Sequence, residues 1–438
     1  MYDKSILLFL LYSFFLLIST TSILFNTFVL IMNILLINHY AGTTELGMEF
    51  RPYYFAKEWI KLGHNVTIIA ASFSHLRRKN PSISTSFQEE IIDGIKYVWI
   101  KTPTYEGNGL GRIKNMFVFL KGLSAKTKYI ANTYKPDVVI ASSTYPNDNY
   151  FARKISKITK AKYLWEVNDL WPLSPMELGG MSRFHPFIMM LKHGELFSYK
   201  NIDAAVSLLP NTEDYMKSQG LGENKWYYIP NGIVVEDWSK SEPISNDYLD
   251  IFTNLKAKGK TIIGYTGGHA ISNSLNTIIE AARQIDDDNI HFVFVGDGQE
   301  KKNLIKQAEG LENITFLAPV SKNQIPTILA MMNILIITWN KSSIYRFGIS
   351  PNKIFDYMMA QKPIIHATDA PNKFVDTADC GLAVEPENPK AIINAINELN
   401  NKSKEELFAM GENGKKYILA NHDYKVLAEK FIGIIEEG

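Results

Sequence analysis

The sequence predicts an α/β fold with two Rossmann-like domains that face each other across a cleft. Short runs of β-branched residues alternate with longer amphipathic segments, which is the pattern of βαβ units and a parallel sheet. The chain has 438 residues, too many for one ordinary core and suited to two domains of roughly 200 residues each. A polar stretch without strand patterning, residues 231–260, separates the two halves and is interpreted as a linker.

The predicted strands follow this division. The first half, residues 32–230, contains strand candidates at Asn33–Ile37, Asn65–Ala70, Val138–Ala141, Lys162–Val167, Ala204–Leu208 and Trp226–Ile229. The second half, residues 261–421, contains them at Thr261–Tyr265, His291–Val295, Ile314–Leu317, Ile334–Ile337 and Pro363–His366. Residues 422–438 carry apolar side chains at helical spacing, and we expect this helix to pack back on the first domain.

The composition excludes several classes of protein. Hydrophobic residues make up 46% of the chain and charged residues 21%, which fits neither a disordered chain nor a polytopic membrane protein. A formal charge of +1 argues against a nucleic-acid partner. One cysteine, Cys380, rules out an internal disulfide, and no Cys/His cluster has zinc spacing.

Residues 1–31 form an N-terminal hydrophobic segment. Residues 5–31 contain no charged side chain and are long enough to span a bilayer as a helix. The segment could be a membrane anchor, a cleaved signal, or an over-extended reading frame. The last interpretation rests on Met32, which stands directly before the first predicted strand.

A glycine-bearing loop follows the first strand and leads into a helix. Glycines at this place let backbone amides approach an anion, and the helix dipole adds to the attraction. Gly42 and Gly47 are the glycines, and Arg51 falls about one turn into the helix. The loop is therefore a candidate phosphate or acceptor site, although an ordinary turn with a surface arginine has the same pattern.

The second domain opens with a similar arrangement on two consecutive strands. The carboxyl ends of parallel strands share one edge of a sheet, where ligands bind. A diphosphate could rest on Gly267 and Gly268. His269 could donate to that phosphate, or it could be a plain loop residue. The candidate donor-binding residues here are Gly267, Gly268, His269, Gly296, Asp297 and Gly298.

Residues 346–360 carry the most informative pattern. Pro351 suits the first turn of a helix, so Lys353 and Asp356 lie one turn apart near an anion-attracting terminus. The lysine could neutralise a leaving diphosphate while the carboxylate accepts hydrogen bonds from ribose hydroxyls. A surface ion pair between the two is the alternative. Arg346 and Asn352 are further candidates for donor binding.

Polar groups also end a buried strand of the first domain. Asn168 and Asp169 follow this strand and stand beside Trp171. Asp169 could orient an acceptor or stabilise positive charge at a sugar carbon, and a capping aspartate is the alternative.

Taken together, these motifs resemble the family-4 retaining glycosyltransferases of the GT-B fold. The landmarks appear in order from about Met32 to Ile435: the first glycine loop, GHNVTIIA, IPNG, GYTGGHA, FVGDG and FGISPNKIFDYMMAQKPII. The motifs NDLWP and SPNKIFDYM are similar to a subgroup that adds N-acetylated amino sugars, including fucosamine, during O-antigen or capsule assembly.

The resemblance implies a nucleotide-diphosphate sugar, usually UDP-linked, held by the second domain, and an acceptor held by the first. It implies no metal or other cofactor, and front-side attack assisted by the donor phosphate. Asp356 occupies the place of the second glutamate in the family's Glu-x7-Glu motif, whereas Gly348 stands at the first. Gly264–Asn276 lacks the family's usual Arg and Lys, so Lys353 is the substitute and Arg346 a second candidate. The family's usual histidine of the first domain has no clear counterpart, because Ser142–Pro146 stands in the corresponding region.

The expected acceptor is a lipid-linked saccharide. We therefore expect the protein at the cytoplasmic face of a bacterial inner membrane, where the single cysteine also fits a reducing compartment. Two alternatives share the fold: a nucleotide-sugar 2-epimerase, and a non-catalytic protein that binds a nucleotide sugar.

Overall fold

The computed structural model describes residues 31–47, 50–107 and 109–437. The hydrophobic segment predicted at residues 1–31 therefore lies outside the described residues, apart from Ile31. Among the residues described, no helix is both long and apolar enough to cross a membrane.

The first domain is built on an eight-stranded sheet with the order β3-β4-β2-β1-β5-β6-β7-β8. Neighbouring strands are parallel except for the antiparallel pair β3–β4. The strands are β1 (Asn33–Ile37), β2 (Asn65–Ala71), β3 (Gln88–Ile92), β4 (Ile95–Ile100), β5 (Val138–Ala141), β6 (Lys162–Val167), β7 (Ala204–Ser207) and β8 (Trp226–Tyr228).

Helices cover both faces of this sheet, because its central strands are apolar on both sides. In β1, Ile34 and Leu36 face one core cluster, and Leu35 and Ile37 face another. The helices are α1 (Phe50–Lys61), α2 (Leu110–Tyr134), α3 (Asn149–Thr159), α4 (Leu173–Glu177), α5 (Pro186–Asn201) and α6 (Glu213–Ser218).

The second domain contains a parallel six-stranded sheet with the order β11-β10-β9-β12-β13-β14. Its strands are β9 (Thr261–Thr266), β10 (Ile290–Val295), β11 (Ile314–Leu317), β12 (Ile334–Thr338), β13 (Ile364–Ala367) and β14 (Gly381–Val384). The helices from residue 235 to 421 are α7 (Val235–Trp238), α8 (Asn246–Ala257), α9 (Leu275–Gln284), α10 (Lys301–Gln307), α11 (Ile325–Ala330), α12 (Asn352–Met359), α13 (Phe374–Thr377), α14 (Pro389–Asn400) and α15 (Lys404–Asn421).

The last helix, α16 (Tyr424–Glu437), returns to the first domain and packs against α1. The Phe431 ring lies 5.4 Å from Phe55 and 5.1 Å from Trp59. The chain therefore passes between the domains twice, and the two passages lie side by side. The Ile233 amide donates to the His422 carbonyl at 2.8 Å, and the Tyr424 amide donates to the Ile233 carbonyl at 3.1 Å.

The structure differs from the predicted elements in three places. The hairpin β3–β4 was not predicted, although Asp93-Gly94, with φ of 48° and 81°, is a strong turn signal for a two-residue hairpin. Strand β14 was also missed. Helix α8 lies within the predicted linker, and its Phe252 and Leu255 are buried in the core of the second domain.

Candidate active site

The loops at the carboxyl ends of both sheets meet along an interdomain cleft. Contacts across it join Asn231 to Ser350 and Glu177 to Arg346. Several of the predicted site residues line this cleft, and others point away from it.

Lys353 lies on the side of the cleft that the second domain forms. It is the second residue of α12, and its Nζ donates to Tyr265 Oη at 2.8 Å and to Asn273 Oδ1 at 2.9 Å. The ammonium group also lies 4.8 Å from the centre of the Tyr265 ring. Burial lowers the pKa of Lys353 to about 8. A lysine from a distant helix thus stands over the loop that follows β9.

The absence of a side chain at Gly267 makes room for this lysine. A Cβ at Gly267 would lie 3.1 Å from Lys353 Cε, and the residue has a φ of 139°. Gly268 is exposed, and a Cβ there would meet no atom within 4 Å. The backbone beside Lys353 is therefore open to a ligand.

Gly296 and Gly298 have a different role. The His269 amide donates to the Asp297 carbonyl at 2.8 Å, so the loops after β9 and β10 run side by side. A Cβ at Gly296 would overlap the Gly267 carbonyl oxygen, and one at Gly298 would overlap the carbonyl of His269. These two glycines let the loops pack together. The carboxylate of Asp297 is exposed and accepts from the Gly298 amide at 2.8 Å.

His269 does not face the cleft. Its ring is fully buried among Tyr265, Phe294 and Phe316. Burial lowers its pKa to about 4. The predicted hydrogen bond from this histidine to a donor phosphate does not fit its position in the aromatic core.

Asp356 lies one turn after Lys353 and is partly buried. It lines a small cavity together with Val234, Trp238 and Lys322. Burial raises its pKa to about 6, and the positive charge of Lys322 opposes the shift. Among the described residues, no carboxylate lies within ion-pair distance of Lys353, so the alternative of a Lys353–Asp356 surface pair is wrong.

Arg346 points toward the first domain. Its Nη1 and Nη2 donate to the two carboxylate oxygens of Glu177 at 2.8 Å and 2.7 Å. The predicted donor contact of Arg346 is therefore replaced by an ion pair in this structure. Asn352 is the exposed first residue of α12 and remains on the cleft surface.

Gly348 has no room for the acid that the family motif places there. It has a φ of 97°, a conformation that side chains other than glycine rarely adopt. A Cβ would lie 2.5 Å from Pro210 Cδ and 2.9 Å from Asn372 Oδ1. A carboxylate at position 348 would therefore clash with these neighbours in this structure.

On the first-domain side, Asp169 is accessible from the cleft, while Asn168 Nδ2 donates to the Ser142 carbonyl at 2.7 Å. Desolvation by the surrounding protein raises the pKa of Asp169, and the positive charge of Arg112 opposes the shift. Arg112 comes from α2 and lies over the rings of Tyr40 and Trp171 at 5.3 Å and 5.7 Å. Sequence reasoning missed Arg112, because no local pattern links α2 to the loop after β6.

His39 lies two residues after the end of β1 and is fully buried. Its Nδ1 lies 2.6 Å from Tyr145 Oη, and its Nε2 lies 2.7 Å from Asn115 Oδ1. Burial lowers its pKa to about 3, so the ring is neutral. Both ring nitrogens therefore have partners within the protein, which gives His39 a structural role.

Among the described residues of the first glycine loop and the helix after it, Arg51 and both glycines face other protein groups rather than an open anion site. Arg51 is buried, and its Nε donates to Glu166 Oε1 at 2.9 Å while Nη2 donates to the Ile229 carbonyl at 2.8 Å. The Gly42 carbonyl accepts from Tyr97 Oη at 2.8 Å, and a Cβ at Gly47 would lie 3.1 Å from Arg78 Nε. The predicted phosphate contact of Arg51 is wrong, because its guanidinium binds the Glu166 carboxylate and the backbone carbonyls at the start of the first interdomain passage.

The part of the chain that the structure describes contains no group of three His, Cys, Asp or Glu side chains placed to hold a metal ion. That no metal or cofactor is needed stays a prediction.

Two family models match the chain in order along the sequence. The model described as Glycosyltransferase Family 4 matches residues 47–237, and the model described as Glycosyl transferases group 1 matches residues 260–402. These segments correspond to the first and second domains. The matches support a glycosyltransferase of the family-4 type.

Two curated proteins are distant relatives. WcaI of Escherichia coli, named as a colanic acid biosynthesis glycosyl transferase, is 21% identical over 78% of this chain and 86% of its own length. TuaH of Bacillus subtilis, named as a teichuronic acid biosynthesis glycosyltransferase, is 24% identical over 46% of this chain and 49% of its own length.

Solved structures share the fold over nearly the whole chain. Anabaena Alr3699/HepE in complex with UDP superposes with a TM-score of 0.65 and 13% identity, covering 93% of this chain and 100% of that one. WaaG, a glycosyltransferase involved in lipopolysaccharide biosynthesis, superposes with a TM-score of 0.62 and 13% identity, covering 92% and 100%. The two domains thus have the α/β, GT-B-like architecture.

Proposed function

We propose that this protein is a retaining glycosyltransferase that moves a sugar from a UDP-linked donor onto a lipid-linked saccharide during assembly of a surface polysaccharide. The names of the two curated relatives and of the structural neighbour WaaG refer to colanic acid, teichuronic acid and lipopolysaccharide biosynthesis. The observation that carries the proposal is Lys353, whose ammonium lies over the open loop at Gly267–Gly268. That loop contains neither Arg nor Lys.

The donor diphosphate would bind at the start of α12, between Lys353 and the loop at Gly267–Gly268. The free amides of a helix N-terminus and the helix dipole both attract an anion there. Lys353 would stabilise the negative charge that builds on the diphosphate as the bond to the sugar breaks. Asp356 would accept hydrogen bonds from the ribose hydroxyls, which needs its ionised form. The HepE structures hold UDP and UDP-glucose on the same fold, which supports a UDP-linked donor.

The acceptor would enter on the first-domain side. Asp169 and Arg112 stand close enough there for the arginine to influence the aspartate electrostatically. We infer that Asp169 orients the attacking hydroxyl, while a donor phosphate oxygen takes its proton in a front-side reaction. No carboxylate nucleophile and no metal is required in this scheme.

The transferred sugar is proposed to be an N-acetylated amino sugar. Support comes from the NDLWP and SPNKIFDYM motifs and from Gly348, where Pro210 and Asn372 occupy the space of the usual acid. Without that acid, the part of the site that would hold the donor sugar differs from the common family pattern.

A surface of the first domain fits the proposed membrane-linked acceptor and a position at the cytoplasmic face of the inner membrane. Large apolar side chains of the first domain are exposed to solvent: Leu110, Phe117, Leu178, Phe184 and Met189. Residues 107–136 contain no Asp or Glu, and Lys114 and Lys121 are exposed on the same helix, α2. Apolar and basic groups together favour contact with anionic lipid.

The test is nucleotide release by the full-length protein from UDP-, GDP- and dTDP-sugars, with and without a bacterial lipid extract. We expect release from one UDP-amino sugar, and this release should require lipid. Conversion of a donor without an acceptor would instead identify a 2-epimerase. Saturable nucleotide binding without turnover would identify a non-catalytic binding protein.

A further inference from the structure

The segment from Ser343 to Gly348, here called the clasp, belongs to the second domain by sequence but packs on the first. Ile344 and Phe347 are buried in a core cluster of the first domain. The Phe347 ring lies 5.5 Å from Tyr215, and its carbonyl accepts from the Asn211 amide at 3.1 Å. The clasp is therefore anchored by apolar burial on the opposite domain.

A polar contact reinforces this anchor. Arg346 and Ser343 both donate to the carboxylate of Glu177, the arginine through two hydrogen bonds and the serine through one at 2.6 Å. These bonds, led by that of Arg346, hold the pKa of Glu177 below its usual range. Glu177 ends α4, the short helix that follows the loop of Asp169.

Two residues after the clasp, Ser350 is held by the first interdomain passage. The Asn231 amide donates to Ser350 Oγ at 2.9 Å, and its Nδ2 donates to the Ser350 carbonyl at 2.9 Å. Asn231 comes directly after Ile229 and Pro230, whose carbonyls accept hydrogen bonds from Arg51. Both ends of residues 343–350 are thus fixed by the rest of the chain, and α12 begins two residues later.

We propose that Glu177 is a positioning residue for the nucleotide donor, which it never touches. It acts through Arg346 and the clasp, which set the place of α12 and therefore of Lys353. The donor site would then be complete when the two domains are closed on each other. This inference rests on the proposed function in one respect: that α12 binds the donor.

The experiment is a charge exchange in the full-length protein. Glu177→Arg and Arg346→Glu are made singly and together, and UDP affinity is measured by calorimetry, with donor KM and kcat measured where turnover is found. Each single variant should weaken UDP binding about fivefold, the upper end for a half-exposed ion pair, and the double variant should restore it to within about twofold. Donor KM should change more than kcat.

The control is the Lys341–Glu385 pair, which lies within the second domain at 2.8 Å with both side chains about half exposed. Lys341→Glu, Glu385→Arg and their combination should leave UDP affinity unchanged. Restoration in the Glu177/Arg346 double variant also tests direct donor contact by Arg346, because a glutamate at 346 cannot replace a donor-binding cation.

Small-angle X-ray scattering without nucleotide gives a second readout. The single variants should have a larger radius of gyration than the wild type, and the double variant should return to the wild-type value. Unchanged scattering and unchanged UDP affinity in the single variants, or a double variant as weak as the singles, would overturn the proposal. If the wild type binds no nucleotide, the proposed function fails, and scattering then decides whether the clasp holds the domains together.

Discussion

The loop that follows β1 and the loop that follows β9 have similar sequence patterns but different surroundings. Both come after a central strand of their sheet, and both carry glycines. In the first domain the loop is mostly buried, and Arg51 turns inward to Glu166. In the second domain the loop has an open face at Gly268, and Lys353 reaches over it from α12.

The difference lies in what neutralises the cation. Arg51 has a buried carboxylate at 2.9 Å and carbonyl acceptors around it, so its charge is satisfied within the protein. Lys353 has neutral oxygen partners, and no described carboxylate lies within ion-pair distance of it. A cation with neutral partners still attracts an anion. Glycines beside a basic residue therefore identify a ligand site less well than the counter-charge does.

The largest expected effect is on stability, in Arg51→Met. Removal of the arginine leaves Glu166 buried without its charge partner, which costs about 3–5 kcal/mol. Denaturant unfolding measures the loss, and Arg78→Met, at an exposed arginine of the same region, should cost little. UDP affinity of the folded Arg51→Met protein should fall only slightly, because Arg51 reaches α12 indirectly, through the carbonyls before Asn231 and the contact of Asn231 with Ser350. A stable variant with lost UDP binding would make the first loop a phosphate site after all.

The second effect is on activity, in Lys353→Ala. The loss of a charge that stabilises the leaving diphosphate should lower kcat/KM for the donor by about 100-fold. The unfolding midpoint should change little, since Lys353 has no paired carboxylate to leave behind. Lys302→Ala, at an exposed lysine of the same domain, is the control. An unchanged kcat/KM in Lys353→Ala would remove the contrast between the two loops.

The smallest effect is on the pH dependence. The pKa of Lys353 is about 8 and that of Asp356 about 6. Donor binding needs the protonated lysine and the ionised aspartate, so kcat/KM should fall about tenfold per pH unit above the upper value and below the lower one. The profile is recorded with a saturating acceptor. Asp356→Asn should lack the acidic limb, and an alkaline limb that survives in Lys353→Ala would assign it to another group.

Much of the fold follows from the sequence, because alternation of strands and helices is a local signal. Asn168, Asp169, Lys353 and Asp356 were predicted from the same signal, since a strand end or a helix start determines where they lie. Arg51, His269 and Arg346 could not be placed, because the direction of a side chain depends on partners distant in sequence. Arg112 was missed for the same reason, as α2 brings it to Asp169 through tertiary packing.

The two interdomain passages, hydrogen-bonded side by side at Ile233 and His422, restrict how the cleft can open. A single segment between two domains permits both bending and twisting. Two hydrogen-bonded segments resist twisting, because rotation of one domain about the long axis of the segments would break the bonds between them. Opening should therefore follow one hinge axis, so that α12 moves away from and returns to the first domain along the same arc in each catalytic cycle.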